Sequence, residues 1–326
     1  MLAQKRPLKL NGVEIERTPL LVPSFSSKGF PEVGEIVRYS SELIEGPALV
    51  SAYDLHYNEI APPFDFASLI FLDSGGYEAS KDVDLSDFGD KKHRAKKWTP
   101  EDHDAVIRTW NPRVPSVLIS YDHPRERLSV ADQIVRARKI APGRTDVLRE
   151  ILLKPETEDQ TRLKIENVTK NIHSLAEFDA IGVTEKEIGS SLLERMKNIA
   201  ILRVALEKAG LDTPIHVFGS LDTVTTPMYF LAGADIFDGL TWLRFAYHEG
   251  RTLYKQNYGA TLGMSIKAHV LDGICWDHNY RYLQELQLEM RRFLKTRDFD
   301  TFKFNGELFK SALESAMEAI GAADGR

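Results

Sequence analysis

Leu69-Ile70-Phe71-Leu72-Asp73-Ser74-Gly75-Gly76-Tyr77 reads as a buried strand that ends on an acid and two glycines. Its first four residues are apolar without polar alternation, the pattern of a parallel strand covered on both faces. An aspartate stands where the chain leaves the sheet. The Gly-Gly pair, lacking Cβ atoms, lets a flat ligand approach the backbone closely. The same arrangement returns downstream in Gly233-Ala234-Asp235-Ile236-Phe237-Asp238-Gly239. Two carboxylates at strand ends supply one nucleophile and one proton-transfer group.

Similar short apolar runs occupy residues 20–23, 48–53, 116–121, 150–153, 180–183 and 215–218; with 69–72 and 235–240 they make eight candidate strands. Helical segments fall between many of them. Thr99-Pro100-Glu101 has a capping hydroxyl, a first-turn proline and an early acid, and Ser129 is placed to cap 130–140. Residues 185–209 read as one helix stopped by Gly210. Strand–helix alternation repeated eight times predicts the α/β class and a (β/α)8 TIM barrel. A doubly wound sheet is the alternative, but no Gly-rich phosphate fingerprint follows the first strand. Beyond about Gly273 the pattern becomes purely helical, at 279–294 and 306–320, with no Pro/Gly/Ser linker. The expected organisation is a catalytic barrel over residues 1–272 with a C-terminal helical appendage over 273–326 packed on it.

The chain has 326 residues, 43% of them hydrophobic and 28% charged, enough for one large core and unlike a disordered chain. Cys275 is its single cysteine, which excludes an intrachain disulfide and a Cys-rich zinc site and suits a reducing cytoplasm. No apolar signal core and no run of membrane-spanning length are found, so a soluble cytoplasmic protein without membrane contact is expected. A net charge of −6 argues against a generally basic nucleic-acid coat protein but leaves room for a local basic surface. Lys91-Lys92-His93-Arg94-Ala95-Lys96-Lys97-Trp98 is the strongest such run. Lys91, Lys92, Arg94, Lys96 and Lys97 suit phosphate contacts, with the aromatic available for stacking; the bland alternative is a solvated charged loop. Arg136, Arg138, Lys139 and Arg144 form a second cluster, and Arg291, Arg292, Lys295 and Arg297 a third.

In a barrel, chemistry gathers at the C-terminal ends of the strands, where Asp73, Asp122 and Asp238 all fall. One aspartate after a strand is ordinarily a turn or cap residue. Three on one face, one within Asp-Ser-Gly-Gly-Tyr, point to a site.

These strings resemble the tRNA-guanine transglycosylase superfamily, whose members exchange a guanine in nucleic acid for a 7-deazaguanine. The resemblance runs in order from about Thr18 to Ile320, beginning with Arg17-Thr18-Pro19-Leu20. Its first and last signatures, around Asp73 and Asp238, are the specific ones. It implies Asp238 as the nucleophile and Asp73 as the general acid/base. It places Ser74, Gly75, Gly76 and Tyr77 around the base, with Tyr77 as the stacking face. It assigns Asp122 to the purine edge, Gly182 of Ala180-Ile181-Gly182 to the pocket backbone, and Arg244 to the arginine six positions after the nucleophile. The implied reaction is attack on C1′ through a covalent aspartyl-glycosyl intermediate by a pentosyltransferase. The implied partners are tRNA or DNA and a 7-deazaguanine base, in a homodimer or with a partner subunit.

The chain also departs from the family pattern. Where the family carries three cysteines and a histidine on zinc, this chain has Asp272-Gly273-Ile274-Cys275-Trp276-Asp277-His278-Asn279-Tyr280 and Phe304. No metal and no cofactor are therefore expected, and Cys275-Trp276-Asp277-His278 reads as a helix start capped by Asp277. The family's Gln-Gly-Gly is replaced by Leu152-Leu153-Lys154-Pro155, and Val183 replaces a glycine. Lys154 is then expected to meet a phosphate or a differently substituted base. These losses tilt the reading toward the DNA-modifying branch. Two rivals remain: a non-catalytic nucleic-acid-binding partner subunit, and a barrel glycoside hydrolase using the same carboxylates.

Overall fold

The chain begins with an antiparallel hairpin, β1 (Pro7–Leu10) and β2 (Val13–Arg17). Asn11 and Gly12, at φ 51° and 81°, form its two-residue turn. The protein is described by a computed structural model covering residues 2–80, 93–111, 113–122 and 126–324.

Eight parallel strands follow: β3 (Leu20–Pro23), β4 (Ala48–Ser51), β5 (Ile70–Asp73), β6 (Ser116–Ile119), β7 (Leu148–Leu153), β8 (Ala180–Thr184), β9 (Ile215–Phe218) and β10 (Ile236–Gly239). They form one sheet in the order β3-β10-β9-β8-β7-β6-β5-β4. A parallel bridge from Ser24 to Leu49, with Phe25 N donating to Leu49 O at 3.1 Å, brings its two edges together. This is a (β/α)8 TIM barrel.

The sequence runs are continuously apolar because each strand buries both faces. Leu20, Val22, Leu49, Phe71, Val117 and Ile119 point inward and form a core inside the barrel. Leu21, Val50, Ile70, Leu72, Leu118 and Ile181 point outward into the larger core shared with the helices. Leu8 is buried in the inner core, with Leu10 and Ile15 packed against it, so the hairpin plugs the end opposite the C-terminal ends of the strands.

Most predicted helix signals operate as expected. Thr99 forms a full capping box with Asp102 at the start of the helix Pro100–Thr109, and Ser129 caps Val130–Ala137. The 185–209 segment is not one helix. It divides into Glu185–Ile188 and Leu192–Lys208, because Gly189 is extended and Ser191 caps a new start by accepting Glu194 N–H. Gly210, at φ 73°, ends that helix.

The C-terminal region differs from expectation in one respect. A single 29-residue helix, Ala268–Thr296, runs through the expected 272/273 division and through Cys275-Trp276-Asp277-His278. Asp277 is therefore not a cap; it pairs with Arg281 one turn on, at 3.2 Å. Leu283, Leu286, Met290 and Phe293 of this helix, with Phe302 and Phe309 beyond it, belong to the same core as the outer barrel wall.

Asn279 of the same helix accepts Tyr247 N–H at 2.7 Å and donates to Trp242 O at 2.6 Å and Phe245 O at 2.7 Å. It thereby fixes the chain that leaves β10. Asn279→Ala would leave buried backbone groups without partners, at about 1–3 kcal/mol for each unsatisfied group. We expect chemical denaturation to show a loss of about 3 kcal/mol, whereas the exposed Arg281→Ala should cost under about 0.5 kcal/mol.

Candidate active site

Asp238 lies at the C-terminal end of β10, with its side chain almost wholly buried. Because β10 pairs with β3 in the register Asp238–Val22, Ser24 lies alongside it and donates to Oδ2 at 2.8 Å. Gly219, at φ 77°, turns its N–H to Oδ1 at 3.1 Å. His216 of β9 brings Nε2 to 3.2 Å from the same oxygen. Oδ1 thus faces two nitrogen groups and Oδ2 one hydroxyl. These contacts fix the orientation of the carboxylate.

Asp73 ends β5, accepts Gly75 N–H at 3.2 Å and remains half-buried. Burial pushes its carboxyl up to about 8, the charge of Glu78 and then of Asp238 adding to the rise against the opposing Gly75 N–H. Glu78 is itself buried, bonded to Ser26 and accepting from Ser51 Oγ at 3.0 Å. Ser27 and Asp54 extend this buried polar layer; burial and the Glu78 charge hold Asp54 well above the ordinary carboxylate range. The two strand-end carboxyls therefore have different environments: Asp73 holds a proton near neutrality, and Asp238 is surrounded by donors.

The Ser74-Gly75-Gly76-Tyr77 turn packs closely against the protein's own side chains. Gly75 sits at φ 82°, and a Cβ there would lie 2.6 Å from Tyr53 Cβ. A Cβ on Gly76 would lie 2.8 Å from Asp122 Oδ2. The missing Cβ atoms make room for the protein's own Tyr53, Trp98 and Asp122. Trp98 is buried and donates Nε1–H to Ser74 O at 2.9 Å. It braces this turn instead of offering a stacking surface. Tyr77 carries Lys28 Nζ 4.6 Å from its ring centroid and receives Arg244 Nη2–H on its hydroxyl at 2.9 Å. Arg244 thus reaches across from the β10 side of the site.

Asp122 follows β6 and pairs with Lys154 at 3.3 Å and, more loosely, with Arg127 at 3.7 Å. Lys154, just past β7, also meets Glu187 at 2.7 Å and Thr184 Oγ1 at 3.3 Å. Burial alone would lower the Lys154 ammonium, but Asp122 and Glu187 outweigh it and hold it above its ordinary value. An ammonium already matched by two carboxylates is poorly placed to hold a phosphate. Lys154 instead completes the edge of a small cavity of about 30 Å³ lined by Asp122, Arg127, Gln133 and Leu152. Gly182, on β8, faces the barrel interior; a Cβ there would lie 2.7 Å from Glu150 Oε1 and 2.5 Å from Phe218. It makes room for these side chains and does not line the cavity.

Lys91 and Lys92 lie outside the described residues. Arg94, Lys96 and Lys97 are exposed; Lys96 pairs with Glu59 at 2.9 Å and lies over Tyr57. In the other two clusters, Arg136, Arg138 and Arg144 pair with Glu126, Glu177 and Asp146, and Arg291 and Arg297 bond to main-chain oxygens of Arg17 and Ala3. Cys275 is buried with Ala246, Tyr258 and Leu271, and burial pushes its thiol up to about 11. Among the described residues no group of His, Cys, Asp and Glu is arranged to hold a metal ion, and no helix is long and apolar enough to cross a membrane.

Ser24, Glu78, Glu150 and His216 are site residues that the sequence motifs do not single out. The available signal was a lone His or Glu inside a run otherwise made of core residues, as in Ile215-His216-Val217-Phe218 and Glu150-Ile151-Leu152-Leu153. No protein-family model matches the chain, and no curated protein matches it.

Proposed function

We propose that the protein exchanges guanine for a 7-deazaguanine base in nucleic acid, by the reaction of the transglycosylases its motifs resemble. The observation that carries this reading is the pair of unlike carboxyls at the barrel mouth: Asp238 among three donors, and Asp73 holding its proton to about 8. Oδ2 of Asp238 attacks C1′, the C1′–N bond breaks with its electron pair going to the base, and Asp73 supplies the proton that the departing base needs. Asp73, now a carboxylate, takes the N–H proton of the incoming base. That base attacks C1′ and releases Asp238, so protons and charge return to their starting state. The target nucleotide must leave its stack to reach the mouth. Ser24 and Gly219 hold the nucleophile in place, while Arg244 and Lys28 hold Tyr77 at the entrance.

The test incubates the protein with labelled guanine and separate tRNA and DNA pools and asks which pool acquires label; label in neither overturns the reading. The basic run has its own test. Arg94→Ser with Lys97→Ser should weaken binding evenly across sequences and reduce the salt slope by about two. An unchanged slope assigns the run to a solvated loop.

A further inference from the structure

Three polar side chains cross the barrel interior on neighbouring inward positions. His216 is wholly buried, with Nδ1 2.9 Å from Glu150 Oε1 and Nε2 3.2 Å from Asp238 Oδ1. The Nε2 contact has ion-pair distance without full hydrogen-bond alignment. Glu150 is also wholly buried, and its second oxygen has no hydrogen-bond partner. β8 separates the strands that carry Glu150 and His216, and Gly182 on it leaves the gap through which they meet.

A neutral imidazole has one N–H and would turn a lone pair on one of the two carboxylates. An imidazolium donates to both. The ring is clamped in this orientation, stacked on Phe218 at 3.9 Å between centroids and edge-on to Phe71 at 5.4 Å. The titratable groups facing it are Glu150 from β7 and Asp238 from β10, with Asp73 acting on Asp238 from across the mouth. Burial alone would lower the imidazole; the two carboxylates outweigh it and raise it to about 9. Isolated buried charges are costly, and one imidazolium between two carboxylates gives each carboxylate an opposite charge beside it.

We propose that His216, anchored by Glu150, is a positioning residue that stays an imidazolium and holds Asp238 through Oδ1, so that Oδ2 is the attacking oxygen. The proposal rests on the transglycosylase reading for what Oδ2 attacks, but the charge state of the triad does not. Removing the positive charge leaves Asp238 beside Glu150 and Asp73 with no cation to hold Oδ1.

Two measurements test it. In the intact protein, the His216 ring nitrogens, read by ¹⁵N NMR, should report an imidazolium from pH 6 to pH 8, and Glu150→Gln should lower its titration by at least about one pH unit. A neutral ring at pH 7 in the parent overturns the proposal whether or not the protein exchanges bases. In adduct-formation kinetics, His216→Gln should lower kcat at least about tenfold with substrate KM unchanged, and Glu150→Gln should move the basic limb of the profile downward, because the His216 ring then loses its proton earlier. A uniform loss of rate in Glu150→Gln with an unshifted profile marks a purely structural role and overturns it. An imidazolium in a parent that forms no adduct with RNA or DNA supports the triad and rejects the transglycosylase reading.

Discussion

Asp238→Asn is expected to abolish base exchange and leave no denaturant-resistant protein–nucleic acid species, while binding changes by less than about threefold. The amide has nearly the shape of the carboxylate, and its oxygen still accepts Gly219 N–H. Ser24 Oγ can accept from the new amide in place of donating, so the pocket need not collapse. What disappears is the nucleophile, because an amide is far weaker toward C1′ than a carboxylate. Losing a well-placed acid costs about 10² to 10⁴ in rate, whereas losing the nucleophile removes the covalent route. Denaturing gels with labelled RNA and DNA give the readout. A parent protein that forms no adduct with either nucleic acid and exchanges no base removes the assignment in favour of the non-catalytic partner subunit.

The barrel was legible because strands buried on both faces write unbroken apolar runs, and all eight of those runs are strands. The limits of individual elements were less so. Residues 48–53 read as one strand, yet β4 stops at Ser51, whose hydroxyl turns to buried Glu78 while the chain enters the helix Ala52–His56. The helix Ala268–Thr296 was masked in its first turns by Gly273 and by Lys267, which makes no side-chain cap. In the site, Asp73 and Asp238 announced themselves by standing at strand ends. Glu150 and His216 did not, because their relation exists only once strands 66 residues apart are brought side by side. A histidine in an apolar run is ordinarily a satisfied core residue, and only closure of the sheet reveals its two carboxylate neighbours. The Gly-Gly turn shows the opposite limit: the need for two missing Cβ atoms was readable, but not that Tyr53, Trp98 and Asp122 fill the space.

Asp73→Asn is expected to separate activity from stability, with opposite signs. Adduct formation needs the Asp73 proton, so the parent rate should be level below about 8 and fall about tenfold per pH unit above it, as the acid ionises. The variant should run at least about 10² slower at pH 7 and lose that dependence. Its stability should move the other way. Asp73 has a folded value near 8 against an ordinary carboxyl value of 3.8, so between those limits the folded protein binds more protons than the unfolded chain. Stability from this group is full below about 4 and is lost as pH rises toward 8. Asparagine carries no such dependence, so Asp73→Asn should be more stable than the parent, with the gain growing from pH 5 to pH 8. Denaturant titrations at both pH values check this. A gain that is equal at pH 5 and pH 8, or absent at both, means that Asp73 ionises normally in the folded protein, and the acid role assigned to it fails with that result.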